Sequence, residues 1–167
     1  ELVAETGGAV IGVAADVTRT EDVSRLVAVV TEGLGEPDIL VASAGINIRK
    51  PPDQLNAAEW RSVIDTNLTS AFVCSHAAHA HMKKAGGGKI INIGSMMSIF
   101  AAGFAPAYAA SKGGIVQFGR ACATAWAKDN KVLLDDGNLR RVSGHKAMTI
   151  VLRNRALAGD ALNPSVT

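Results

Sequence analysis

Apolar residues along the chain fall into short continuous runs separated by longer stretches of helical spacing. Ala9-Val10-Ile11-Gly12-Val13-Ala14-Ala15 is one such run; it ends at Asp16 and predicts a short buried strand. Val23, Leu26, Val27 and Val30 then recur with the period of a helix, with Thr18 and Glu21 at capping-box spacing before them and Gly33 and Gly35 to end it. Asp38 to Ala42 is continuous and β-branched enough to predict a central parallel strand, and Ser43-Ala44-Gly45 after it requires a tight turn of small residues. Beyond Pro51-Pro52, the residues Trp60, Val63, Ile64, Asn67, Leu68, Ala71 and Phe72 keep helical spacing, running to Lys83-Lys84 and a stop at Gly86-Gly87-Gly88. Lys89 to Gly94 reads as a third strand, and Ala107 to about Lys128 as a third long helix. Three strands alternating with three long helices predict an α/β fold, a doubly wound parallel sheet with right-handed crossovers and helices on both faces.

Composition narrows the class. A chain of 167 residues with 48% hydrophobic and 19% charged residues has the balance of a globular domain. Its apolar runs are interrupted well before the roughly 20 residues needed to cross a bilayer, and no signal peptide heads it, so no membrane association and a cytoplasmic location are expected. Cys74 and Cys122 have no metal-type spacing and predict free buried thiols. Charge divides the chain after Asn130: eleven basic against twelve acidic residues before that point, six against three after it. The sequence is therefore expected to hold a domain over residues 1–130 and a divergent basic tail over 131–167. That tail has no aromatic residue for stacking, so its charge alone does not predict nucleic-acid binding.

The candidate chemistry lies in Ser95, Tyr108 and Lys112. The Tyr-x-x-x-Lys spacing puts a phenol and an ammonium on one helix face. A phenol that serves as a base near neutral pH needs a nearby cation. One about 4 Å away contributes on the order of 4 kcal/mol at an effective dielectric near 20, which is the size of the effect required. A serine hydroxyl at a neighbouring strand end then has the placement to hold a substrate alcohol or carbonyl. Taken alone, Tyr-x-x-x-Lys is common in helices and means only a half-buried tyrosine beside a solvated lysine.

The surroundings change that weighting. Asp16-Val17-Thr18 after an apolar run, Asp38 to Gly45, Asn67 within Asp65-Thr66-Asn67-Leu68, and Lys89 to Ser95 stand in an order and spacing, from Glu1 to about Asn130, that closely resembles the short-chain dehydrogenase/reductase family. The resemblance implies a partial Rossmann-like fold and an NAD(P)-dependent oxidoreductase moving hydride between nicotinamide and a secondary alcohol or ketone. Tyr108 would be the acid/base, Lys112 would support it and bind the ribose, Ser95 would orient substrate, and Asn67 would hold a relay water. It also implies that Asp16 and the Val17 backbone meet the adenine, and that Ala44 and Gly45 let the chain approach the cofactor, NAD or NADP. The stretch from Ser95 to Tyr108 is similar to members acting on sugars and sugar acids.

The pattern departs from the family in three places. The family's Asn-Asn-Ala-Gly turn reads Ala42-Ser43-Ala44-Gly45 here, so two bracing side chains are missing. Leu2 to Thr6 resemble the end of the helix before the family's third strand, which implies that the glycine-rich phosphate turn and the residue distinguishing NAD from NADP are absent. After Asn130 the pattern is lost, as a shifted reading frame, a recombined end or a gene fragment would produce. His76, His79 and His81 lack a fourth ligand nearby and predict a polar surface or interface rather than a metal site. Gly86 to Gly88 precede a strand and predict a loop rather than a phosphate cradle. Two other readings compete with the enzyme: an inactive chain that keeps the triad, and a self-association module using the helices of Asn67 and Tyr108, which correspond to the family's dimer-forming helices.

Overall fold

The computed structural model describes residues 9–126, together with short strands at 132–135 and 147–150. Helix α1 spans Thr20–Leu34 and buries the predicted stripe of Val23, Leu26, Val27 and Val30. It ends at Gly35, whose φ of 89° is a left-handed conformation that costs glycine little. Strand β1 is Ile39–Ala42. Asn56 then opens helix α2 (Ala57–Ile64): its side-chain oxygen accepts from the N–H groups of Ala58 and Glu59, both at 2.9 Å, while Glu59 accepts from the Asn56 N–H. A π turn at Asp65–Thr69 joins α2 to helix α3 (Ser70–Lys84). Strand β2 (Gly88–Asn92), a 3₁₀ turn (Met96–Ser98) and helix α4 (Pro106–Trp126) follow.

The sheet is parallel throughout. With β3 as Val132–Asp135 and β4 as Ala147–Ile150, the order is β3-β2-β1-β4, so β1 is central, as its apolar run predicts. Leu40 and Ile90 are register partners, side by side on one face and both fully buried. They join the α1 stripe, Val17, Cys74, Ala78 and Met82 in one core. A fully buried leucine or valine contributes about 1.5–3 kcal/mol, so this contact between α1, α3 and the two central strands is the main stabilising term visible here.

The strand expected over Ala9–Ala15 does not form. No ladder is made there among the described residues, and Val10 is 64% exposed. Both edges of β1 are occupied, by β2 and β4, so the segment has no β1 edge to join. It is held against α1 instead: the Ala14 carbonyl accepts a 2.7 Å bond from the Arg25 guanidinium, and Ile11 lies where a side chain at Gly33 would stand. The Thr18 hydroxyl donates to the Asp16 carboxylate at 2.7 Å, and the N-cap of α1 falls at Arg19 without a side-chain cap. A charged acceptor two residues away outcompetes the helix end.

Two strands arise where the pattern gave none, in the tail at β3 and β4. The rest of that tail and Leu2 to Thr6 lie outside the described residues. The single stripe expected from Trp60 to Phe72 is broken as well. The π turn inserts one residue, turning the face by about 100°; Phe72 is 51% exposed while Ala71, Cys74, Ala78 and Met82 are buried.

Asn92 closes β2 opposite Ala42, and its buried amide has no hydrogen-bond partner for either polar atom. An unmet buried polar group costs about 1–3 kcal/mol. Asn92→Leu, which keeps the branching and heavy-atom count of the side chain, is therefore expected to raise stability by about 1 kcal/mol in urea unfolding; an unchanged or lower midpoint would count against an unmet amide.

Candidate active site

Three segments converge on Gly45: the turn after β1, the π turn, and the first turns of α4. A Cβ built on Gly45 would lie 3.3 Å from the Asn67 side-chain oxygen and 3.9 Å from the Lys112 amine. A side chain there would make the Asn67 oxygen give by a few tenths of an ångström and would meet the Lys112 amine at ordinary contact distance; the residue itself is exposed.

Asn67 lies inside the π turn and is 1% exposed. Its oxygen accepts from the Ile46 N–H at 2.7 Å, and its amide donates to the Ile46 carbonyl at 2.9 Å and to the Ser111 hydroxyl at 3.0 Å. One side chain thus fixes the turn after β1 against α4. The π turn supplies the helix phase that aims it there, a use of such turns that recurs at functional sites.

Lys112 is 5% exposed and donates a 2.7 Å bond to the Ile93 carbonyl at the end of β2. No carboxylate pairs with it among the described residues, and burial lowers its pKa from the ordinary 10.5. Its amine is 5.6 Å from the centre of the Tyr108 ring, one turn earlier on the same helix face, within cation–π range. The predicted phenol–ammonium pair is therefore assembled, with the cation held by a neutral backbone carbonyl rather than by an acid.

Ser95 caps the 3₁₀ turn. Its hydroxyl oxygen accepts from the Met97 N–H at 3.1 Å, which leaves its own proton to donate elsewhere, and its N–H donates to the Ser98 hydroxyl, also at 3.1 Å. Ser98 in turn donates to the Lys112 carbonyl at 2.9 Å, so the Ser95 turn is fastened to the helix of Tyr108 and Lys112. Beside it is an open depression of about 500 Å³ whose walls include Pro52, Met97, Ile99, Ala102, Pro106 and Ala109.

Asp16 and Val17 stand apart from this cluster. The Asp16 carboxylate accepts from the N–H and hydroxyl of Thr18, at 2.9 and 2.7 Å, and Val17 is buried beneath α1. Ala44 is half-buried against the core beside Gly45. The three histidines go to separate partners: His81 to Glu36 at 2.6 Å, His79 stacked on Trp126 at 4.1 Å, and His76 beside Phe72.

Two residues of the site were not anticipated. Ser111 accepts from Asn67 and donates to the Tyr108 carbonyl at 2.8 Å, and Ser98 joins Ser95 to α4. The capping-box spacing of Ser95 and Ser98 carries a signal for the second. Ser111 has none beyond its place beside Lys112.

Burial also governs reactivity at the two thiols. It pushes Cys74 up to about 11 and raises Cys122 as well. Both are expected to resist a thiol reagent near pH 8 in the native chain and to react together in denaturant; rapid native labelling would contradict the packing of α3 and α4. For Lys112, a lowered folded pKa means that the cost of burying the cation is present at neutral pH and is relieved as pH rises through that value towards 10.5. The stability of the chain relative to Lys112→Met is therefore expected to improve from about pH 7 to about pH 10, measured by urea unfolding.

The family model for short chain dehydrogenases matches residues 1–134. A 2-dehydro-3-deoxy-D-gluconate 5-dehydrogenase of Formosa agariphila is 36% identical over 120 residues, 72% of this chain and 46% of its own. A cis-4-hydroxycyclohexanecarboxylate dehydrogenase of Sinomonas cyclohexanicum is 34% identical over 124 residues, 74% of this chain and 50% of its own. The crystal structure of a gluconate 5-dehydrogenase from Burkholderia cenocepacia in complex with NADP and tartrate superposes with a TM-score of 0.67 at 33% identity, covering 70% of this chain and 46% of that one. The chain spans about half the length of the relatives it matches. With the match extending through every segment that builds the site, the chain belongs to the short-chain dehydrogenase family.

Proposed function

We propose that the chain carries the substrate and nicotinamide end of an NAD(P)-dependent, cytoplasmic oxidoreductase acting on a secondary alcohol or ketone of the sugar-acid type. The observation that carries this reading is the buried Lys112 amine beside the Tyr108 ring, bound to a carbonyl and without a carboxylate partner among the described residues. A cation so placed keeps a positive charge beside the proposed acid/base.

The residues present fit the nicotinamide half of the cofactor. Gly45 is exposed and leaves the backbone open beside Lys112 and Asn67, where a side chain would lie in close contact with the Asn67 oxygen. Gly45 and Ala44 would bound the cofactor, Lys112 and Tyr108 would meet its ribose hydroxyls, and Asp16 and Val17 would receive the adenine. Among the described residues no glycine-rich turn opens a helix after a strand, so the pyrophosphate lacks its usual partner there.

When bound, the nicotinamide supplies the donor or acceptor of hydride. Tyr108 gives the substrate oxygen its proton in reduction and takes it in oxidation. Lys112 keeps a positive charge beside it. Ser95, its oxygen already engaged by the Met97 N–H, donates its proton to the substrate oxygen. Asn67 holds the turn of Gly45 in place and would hold the water of a relay that returns the proton to solvent.

A second reading is favoured by a different face. Phe72 of α3 is 51% exposed and meets Phe118 of α4 edge-on at 6.0 Å, an apolar surface on the two helices that carry the site and one suited to association with a second copy.

Fluorescence titration with NADH and NADPH separates the two, with circular dichroism to establish folding. Saturable binding is expected, at least tenfold weaker in Lys112→Met and little changed in Tyr108→Phe, which removes the acid/base but not the ring. A folded chain that binds neither nucleotide would leave the self-association reading, and sedimentation of Phe72→Glu would test that: a dimer that dissociates supports it.

A further inference from the structure

The geometry points to Arg49 as the residue that receives the carboxylate of a hydroxy-acid substrate at the mouth of the site, an inference that rests on the dehydrogenase reading above. Three basic side chains, Arg49, Lys50 and Lys112, stand on the segments that carry or follow the site residues, and two are engaged. Lys50 pairs with Glu59, and Lys112 donates to the Ile93 carbonyl. Arg49 is exposed and has no carboxylate partner among the described residues; its guanidinium carbon sits 4.7 Å from the centre of the Phe104 ring.

That contact fixes the cation without neutralising it. A cation set over a ring keeps its charge, and a guanidinium carries its N–H groups in a planar fork that suits a planar anion. A carboxylate takes two of them in parallel, a geometry a lysine ammonium does not offer. Phe104 itself brings no charge to compete with it.

Short tethers bind both partners to the catalytic cluster. Arg49 lies three residues after Ile46, whose N–H and carbonyl are both held by Asn67. Phe104 lies four residues before Tyr108 on the segment between Ser95 and α4. Four residues reach at most about 14 Å, so a cation stacked there stays within range of a small polyhydroxy acid whose reacting carbon is at Tyr108. The relatives named above include enzymes for a gluconate derivative and for a hydroxycyclohexanecarboxylate, both of which carry a carboxylate away from the oxidised hydroxyl. Arg61, which has no ion pair among the described residues, lines an adjoining depression with Trp60 and Leu55 that shares Pro52 and Pro106 with the one beside Ser95, and serves as a control.

Calorimetric titration of the full chain with D-gluconate and with neutral D-gluconamide, NADPH present, tests the assignment. Gluconate is expected to bind at least tenfold more tightly than the amide. Arg49→Met should remove that preference while leaving amide affinity unchanged, Arg49→Lys should restore part of it, and Arg61→Met should have no effect. Circular dichroism checks that each variant is folded. A gluconate preference that survives in Arg49→Met, or equal binding of the two ligands by the unaltered chain, overturns the role of Arg49 and leaves the dehydrogenase reading standing. Failure of NADPH itself to bind overturns both.

Discussion

Asn67 is the joint on which the site depends. A single buried amide makes three hydrogen bonds, two to the backbone of Ile46 and one to Ser111, and so holds the turn after the central strand against the first turns of α4. The N–H and carbonyl of Ile46 would lose these partners if the amide were lost, while Ser111 would keep its bond to the Tyr108 carbonyl; an unmet buried group costs about 1–3 kcal/mol. Gly45, Tyr108 and Lys112 take their relative positions from that contact. The π turn exists in the same sense for Asn67: an uninterrupted α-helix from Ala57 to Lys84 would rotate the side chain off this face.

The site trades stability for charge. Lys112 is nearly as buried as the core leucine, and its amine has a carbonyl in place of a counter-ion. An acid at that point would make the burial easier and would cancel the positive potential beside Tyr108. Two cations of the segment after Gly45 are treated differently: Lys50 is neutralised by Glu59, whereas Arg49 is held over an aromatic ring that leaves its charge intact. Among the described residues, neither Lys112 nor Arg49 is paired with an acid.

Much of this was legible in the residues. The continuous runs at Asp38–Ala42 and Lys89–Gly94 are strands because a parallel strand is buried on both sides and has no polar face to alternate. The α1 stripe is a helix for the corresponding reason, a face of 3.6-residue period. Ala9–Ala15 misled for a physical reason: apolar content marks a segment that wants burial, but a strand also needs an unoccupied edge, and nothing local records whether one exists. Ser111 stayed hidden because its function is to accept from a side chain 44 positions away.

The sequence by itself determined the two central strands, the three long helices and the shared helix face of Tyr108 and Lys112, since these follow from continuous apolar runs, a 3.6-residue period and fixed local spacing, and its motifs carry the resemblance to short-chain dehydrogenases. Only the tertiary structure decided that Ala9–Ala15 forms no strand, that Lys112 ends on the Ile93 carbonyl with no acid paired to it among the described residues, that Asn67 reaches Ile46, that β4 takes the free edge of β1, and that Arg49 lies over Phe104. Those contacts join residues far apart along the chain, and their energies depend on burial and distance, which exist only once the chain has folded.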